Sequence, residues 1–98
     1  MLYVPKIKNY ETALKVYYSN LEIGNKEIKQ LFGNKISTDT MSKLKNAVRA
    51  EMNNQGKKCY YAHSVNTKTA FEVWGIDIIL VEQHYNKLKK LGLNSNEC

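Results

Sequence analysis

The sequence predicts a small, mostly α-helical domain of four to five helices, with room for a short β-strand pair or wing. Three observations lead there. Apolar residues recur at three- and four-residue spacing through most of the chain. Asn, Ser or Asp stands before several of these stretches and a glycine stands after them, the two signals that start and stop helices. The one run rich in aromatic and β-branched residues, 57–65, is short and follows the turn signal Asn53-Asn54-Gln55-Gly56. Ninety-eight residues make one domain, long enough for a modest core without staples.

Residues 1–8 form a short lead containing Pro5, and Asn9 can cap a first helix of about 10–20. Its inner face would hold Tyr10, Ala13 or Leu14, Tyr17 and Leu21. Residues 21–23 read as a short extended link, with Gly24 ahead of a cap at Asn25. A second helix of about 25–32 would end at Gly33 in the left-handed conformation that glycine tolerates.

A third helix would be capped by Ser37, whose hydroxyl can accept the Thr40 N–H, and would run to about residue 53. Ile36 before the cap and Met41 inside the helix form a hydrophobic staple. Ile28, Leu31 and Phe32 face inward from the second helix, and Met41, Leu44 and Val48 from the third. Thr38, Asp39, Ser42, Lys43, Lys45, Asn46 and Arg49 then point outward, and side chains of these types bond phosphates and base edges.

Residues 57–65 suggest a short strand, paired with residues 21–23. Beyond it two readings stay open. Either Asn66 or Thr67 caps a short helix carrying Ala70, Phe71 and Trp74 with Gly75 as its stop, or residues 59–63 and 69–74 are two strands of a wing with 65–68 at the tip. The positions of the caps and the closing glycine favour the helix. The last helix begins at Asp77, with Ile76 and Val81 as a staple and Leu80, Val81, Tyr85 and Leu88 inside. Lys87, Lys89 and Lys90 lie where the helix dipole favours cations, and Gly92 ends the helix before a frayed tail of 93–98.

The stretch 23–44 resembles the helix-turn-helix family of DNA-binding proteins at Gly33, Ile36-Ser37, Thr40-Met41-Ser42 and Leu44. It departs from the family in Asn34-Lys35, two extra residues in the turn, which leave the angle between the helices open. The second half, with a strand ending at Val65-Asn66-Thr67 and then an apolar-aromatic helix, is similar to the small excisionase and MerR-type winged-helix proteins of phages and integrated elements. These resemblances imply a helix that starts at Ser37 and enters the major groove, with Lys26, Lys29 and Lys35 near flanking phosphates. Thr38, Asp39, Ser42, Lys43 and Asn46 would face bases, while Lys45 and Arg49 would reach base or backbone. Lys57 and Lys58, next to Tyr60 and Tyr61, would touch the DNA backbone from a strand or wing.

Charge points the same way. The net charge is +6, and residues 1–58 hold eleven Lys/Arg against five Asp/Glu, whereas residues 59–98 hold four of each. All the excess positive charge therefore lies on the half with the helix pair. Fourteen of the fifteen basic residues are lysine, so a solvated lysine-rich face accounts for part of that basicity without any partner.

Other chemistry lacks a foundation. Cys59 and Cys98 follow no metal spacing and are too few for a disulfide framework, so reduced thiols are expected. His63 and His84 have no carboxylate or cysteine placed to complete a metal site with them. The five glycines never cluster into a phosphate-cradling loop, and no carboxylate pair suits acid–base work. No catalytic role and no cofactor are expected. No run approaches a membrane span and the N-terminus lacks signal-peptide character, so a cytoplasmic protein is expected. The reading is a sequence-specific binder of double-stranded DNA, acting as a homodimer or cooperative array because one module of this size covers little DNA. The rival is a protein-interaction adaptor that uses Phe71, Val73, Trp74 and the apolar residues of 78–88, with the helix pair purely structural.

Overall fold

Helices in this chain begin where a side chain replaces the backbone partner that a first turn lacks. The computed structural model describes residues 2–58 and 63–92. The element order is α1 (Tyr10–Ser19), β1 (Glu22–Ile23), α2 (Asn25–Phe32), α3 (Thr38–Asn54), β2 (Val65–Asn66), α4 (Thr67–Val73) and α5 (Ile78–Lys90). Asn9 Oδ1 accepts the Thr12 N–H at 3.0 Å, and Ser37 Oγ accepts that of Thr40 at 3.1 Å. Asn66 Oδ1 accepts the Thr69 N–H at 2.9 Å, and Asp77 Oδ1 those of Ile79 and Leu80 at 3.0 and 3.3 Å. The start of α2 differs from expectation. Gly24 is the cap and Asn25 the first helical residue, because the Glu27 carboxylate reaches back to accept the Gly24 N–H at 2.8 Å. A carboxylate at the third helical position supplies the contact that the cap residue cannot.

The two strands pair antiparallel, Glu22 opposite Asn66 and Ile23 opposite Val65. The strand expected over 57–65, paired with 21–23, is present only in part: of that run Val65 alone pairs, with Ile23, the second pair uses Asn66 beyond it, and 57–58 and 63–64 are not strand. Residues 59–62, four of the nine in that run, lie outside the described residues. The wing alternative fails in its second strand, since 67–73 is helical and Gly75 follows at φ +72°. Ala70, Phe71 and Trp74 fall on one face only at helical spacing, and all three are buried there.

One core cluster joins every helix and both strands, from Ala13 and Val16 of α1 through Ile28, Leu31, Leu44 and Val48 to Val81 of α5. Two residues expected inside are outside. Leu21 is 69% exposed because α1 stops at Ser19. Leu21 then sits in the extended link, where its carbonyl accepts the Thr67 N–H at 3.0 Å. Leu80 is 60% exposed, since the buried stripe of α5 centres on Val81, one residue or about 100° away. On α1 the buried residues are Ala13 and Val16, and Tyr10, Leu14 and Tyr17 are half-buried beside them.

Trp74 fixes the junction of the helix pair. It is 5% exposed, its indole N–H donates to the Leu44 carbonyl of α3 at 3.1 Å, and its ring meets that of Phe32, at the end of α2, edge-on with centroids 5.7 Å apart. One side chain from α4 therefore touches both members of the pair.

Candidate nucleic-acid interface

The turn between α2 and α3 spans residues 33–37 and depends on one glycine. Gly33 sits at φ +106° and ψ +157°, an extended mirror-image conformation instead of the expected left-handed helical one. L-residues avoid this region, which is nearly exclusive to glycine. The Gly33 N–H still closes α2 by donating to the Lys29 carbonyl at 2.8 Å, while its carbonyl accepts the Ile36 N–H at 3.4 Å. The two extra residues, Asn34 and Lys35, bulge into solvent between these contacts. Ile36 and Met41 pack on the core as the staple requires.

On α3 the inward residues are Met41, Leu44, Lys45, Val48 and Met52. Thr38, Asp39, Ser42, Lys43 and Asn46 are exposed and form one outward face, with Arg49 half-buried at its edge. Lys43 pairs with Asp39 at 3.2 Å, both side chains being at least 70% exposed, so the pair contributes little to stability and opens readily. The Arg49 guanidinium donates to Asn46 Oδ1 at 3.4 Å, which orients the amide at the centre of the face. Ser37 Oγ is committed to the cap, where it also donates to Thr40 Oγ1 at 2.8 Å.

Lys45 does not join this face. It is 9% exposed, and its ammonium donates to the His63 carbonyl at 3.4 Å. Burial pushes its pKa below the ordinary lysine value, and the nearby Arg49 charge adds to the shift. The signal was present in the sequence. Positions 41, 45, 48 and 52 follow the four-three-four spacing of an inner stripe, so the lysine stem covers apolar surface while its head reaches the loop. Lys57 is likewise occupied, half-buried with its ammonium donating to Thr69 Oγ1 at 3.1 Å. Lys58 is exposed, whereas Tyr60 and Tyr61, the aromatic partners expected beside it, lie outside the described residues, as do Cys59 and Cys98.

Lys26, Lys29 and Lys35 are exposed on α2 and the turn. Lys26 and Lys29 line a groove of about 730 Å³ between α1 and α2, together with Lys8 and Lys15, which the sequence reading did not single out. Asn9, Thr12, Lys15 and Ser19 recur at three- and four-residue spacing along α1, and this polar stripe opposite the apolar one was the available sign.

A second cavity, about 560 Å³, lies beside Lys45, His63, Ser64, Glu22 and Glu27. Several of its polar groups engage one another: Ser64 Oγ donates to Glu22 Oε1, Glu27 accepts from Gly24, and Lys45 donates to the His63 carbonyl. His84 stacks edge-on against Tyr10 with centroids 4.9 Å apart. Among the described residues, no three His, Cys, Asp or Glu side chains converge as a metal site would require, and no helix is long and apolar enough to cross a membrane. No protein-family model, curated protein or solved structure matches the chain.

Proposed function

We propose that the protein binds double-stranded DNA sequence-specifically, with the exposed face of α3 in the major groove. The observation that carries this is the outward row Thr38, Asp39, Ser42, Lys43 and Asn46 on a capped helix. That helix is held as the second of a pair, in the half of the chain with all the excess positive charge. Polar side chains at three- and four-residue spacing reach successive base edges, and Asn46 offers the amide that pairs bidentately with adenine. Lys26, Lys29, Lys35 and Lys58 are the exposed cations for flanking phosphates. In this reading the protein acts in transcription or directs recombination on a mobile element, as a homodimer or cooperative array, in the cytoplasm.

Replacing Lys43 and Arg49 by glutamate tests the assignment. The double variant should lose retention on duplex DNA while its circular dichroism stays that of the wild type. Undiminished binding by the folded variant would remove α3 from the interface.

The adaptor reading keeps one supporting observation on a smaller surface. Phe71 and Trp74 are buried and unable to grip a partner, but Ile79 and Leu80 at the start of α5 are 63% and 60% exposed. Binding through such apolar residues would persist at moderate salt, whereas duplex binding should weaken steeply.

A further inference from the structure

We infer that the groove between α1 and α2 is a second DNA contact, a track for the phosphodiester backbone beside the segment that α3 reads. The inference rests on duplex DNA being the partner and extends the contact to Lys8 and Lys15. Four lysines, Lys8, Lys15, Lys26 and Lys29, line the groove against one carboxylate, Glu27, whose Oε1 already accepts the Gly24 N–H. Among the described residues Lys8, Lys26 and Lys29 have no ion-pair partner, and Lys15 has only an exposed contact to Glu11 at 3.7 Å. The rest of the lining is mostly Asn, Thr, Ser and Gln, with Val16 its apolar residue. Small-molecule sites of about 300–1,000 Å³ are predominantly apolar with few polar groups. This groove is lined mainly by polar and charged residues, which suits a chain of phosphates held by point charges and amide donors.

The backbone puts Lys8 there. The Lys8 N–H donates to the Leu31 carbonyl at 2.8 Å, tying the N-terminal lead across the end of α2. Its side-chain Cδ lies 3.7 Å from where a Cβ on Gly33 would stand, so the stem runs over the glycine of the turn. Gly33 and Asn34 are themselves part of the groove wall. The groove therefore opens directly onto the turn that leads to Lys35 and the start of α3. A backbone strand beside the α3 contact can continue into it.

The test is the salt dependence of duplex binding by the full chain, wild type against Lys8→Gln/Lys15→Gln and against Lys43→Glu/Arg49→Glu. Each phosphate contact contributes a slope of about −0.9 in log K against log salt. The Lys8/Lys15 variant should therefore lose about 2 units of slope, and at about 0.1 M salt bind roughly a hundredfold more weakly. In parallel, amide resonances of Asn9, Thr12, Gln30 and Gly33 should shift on adding duplex to the wild type, a readout that needs no variant. An unchanged slope, with binding still lost in the Lys43/Arg49 variant, would overturn the groove and leave the α3 reading intact. A reduced slope with Lys43/Arg49 binding normally would keep the groove and overturn α3. Shifts produced by tripolyphosphate at concentrations where duplex produces none would assign the groove to a free polyanion and overturn the DNA track. No duplex binding by the wild type at low salt would overturn both.

Discussion

Replacing Trp74, the residue that closes α4, by alanine removes the side chain that touches α2 and α3 at once. The indole is 5% exposed, so nearly all of its surface is lost from the core, and Trp→Ala at such sites costs about 3–5 kcal/mol. Phenylalanine divides that cost. It keeps an aromatic ring against Phe32 but loses the bond from the indole N–H to the Leu44 carbonyl, which contributes about 1 kcal/mol net. A smaller ring in the same space adds about 1 kcal/mol more. For a domain of this size 1 kcal/mol moves the melting temperature by about 4–8 °C. Trp74→Phe should therefore melt about 8–16 °C below the wild type, and Trp74→Ala at least about 12 °C below. Far-UV circular dichroism on heating measures both. Trp74 is the chain's single tryptophan, so native emission reports on this site alone and should be blue-shifted and resistant to quenching. A Trp74→Ala melting temperature within about 4 °C of the wild type, or emission readily quenched by iodide, would refute the bridging role.

Further outcomes follow from single contacts. Gly33→Ala should destabilise by about 1–3 kcal/mol in chemical denaturation, since φ +106° strains any L-residue although the new Cβ would meet Lys8 only at ordinary contact distance. Ser37→Ala should cost about 1 kcal/mol by the same measurement, through loss of the 3.1 Å cap on Thr40. Lys45 gives a pH signature. Its folded-state pKa lies below the unfolded value of about 10.5, so the unfolded chain binds more protons in the window just under that value, and stability gains as pH rises through it. Wild type should therefore gain stability relative to Lys45→Met between neutral and alkaline pH, and a flat difference across that range would show that burial does not perturb the amine.

Local punctuation was the part of the fold most legible in the sequence. Asn9, Ser37, Asn66 and Asp77 act as caps because a short polar side chain ahead of an apolar stripe has few other uses, and each accepts the N–H expected for its position. The end of α2 was legible from Gly33, and the β1–β2 contact, in part, from the β-branched and aromatic content of 57–65, while the cap of α2 was not. Which residue of an apolar pair turns inward was less so. Leu80 and Val81 are adjacent and equally apolar, and only the packing of α5 against α1 places Val81 inside. Leu21 faces solvent because α1 ends two residues before it, and Lys45 turns inward because its position continues the apolar spacing of α3 despite its charge. The outward face of α3 was legible from periodicity. The α1–α2 groove was legible only as the polar stripe of α1, because its shape depends on how two helices and the N-terminal lead come together across Gly33.

Selection of bound fragments from a random duplex library, repeated with Asn46→Ala, tests most directly whether α3 reads sequence. Wild type should enrich one motif over several rounds. Asn46→Ala should enrich the same motif with preference relaxed at a single position, by about 1–3 kcal/mol, while the others keep theirs. No enriched motif from a wild-type protein that does retain duplex would contradict base reading by α3, and a uniformly weaker but identical motif from Asn46→Ala would move that residue to the backbone.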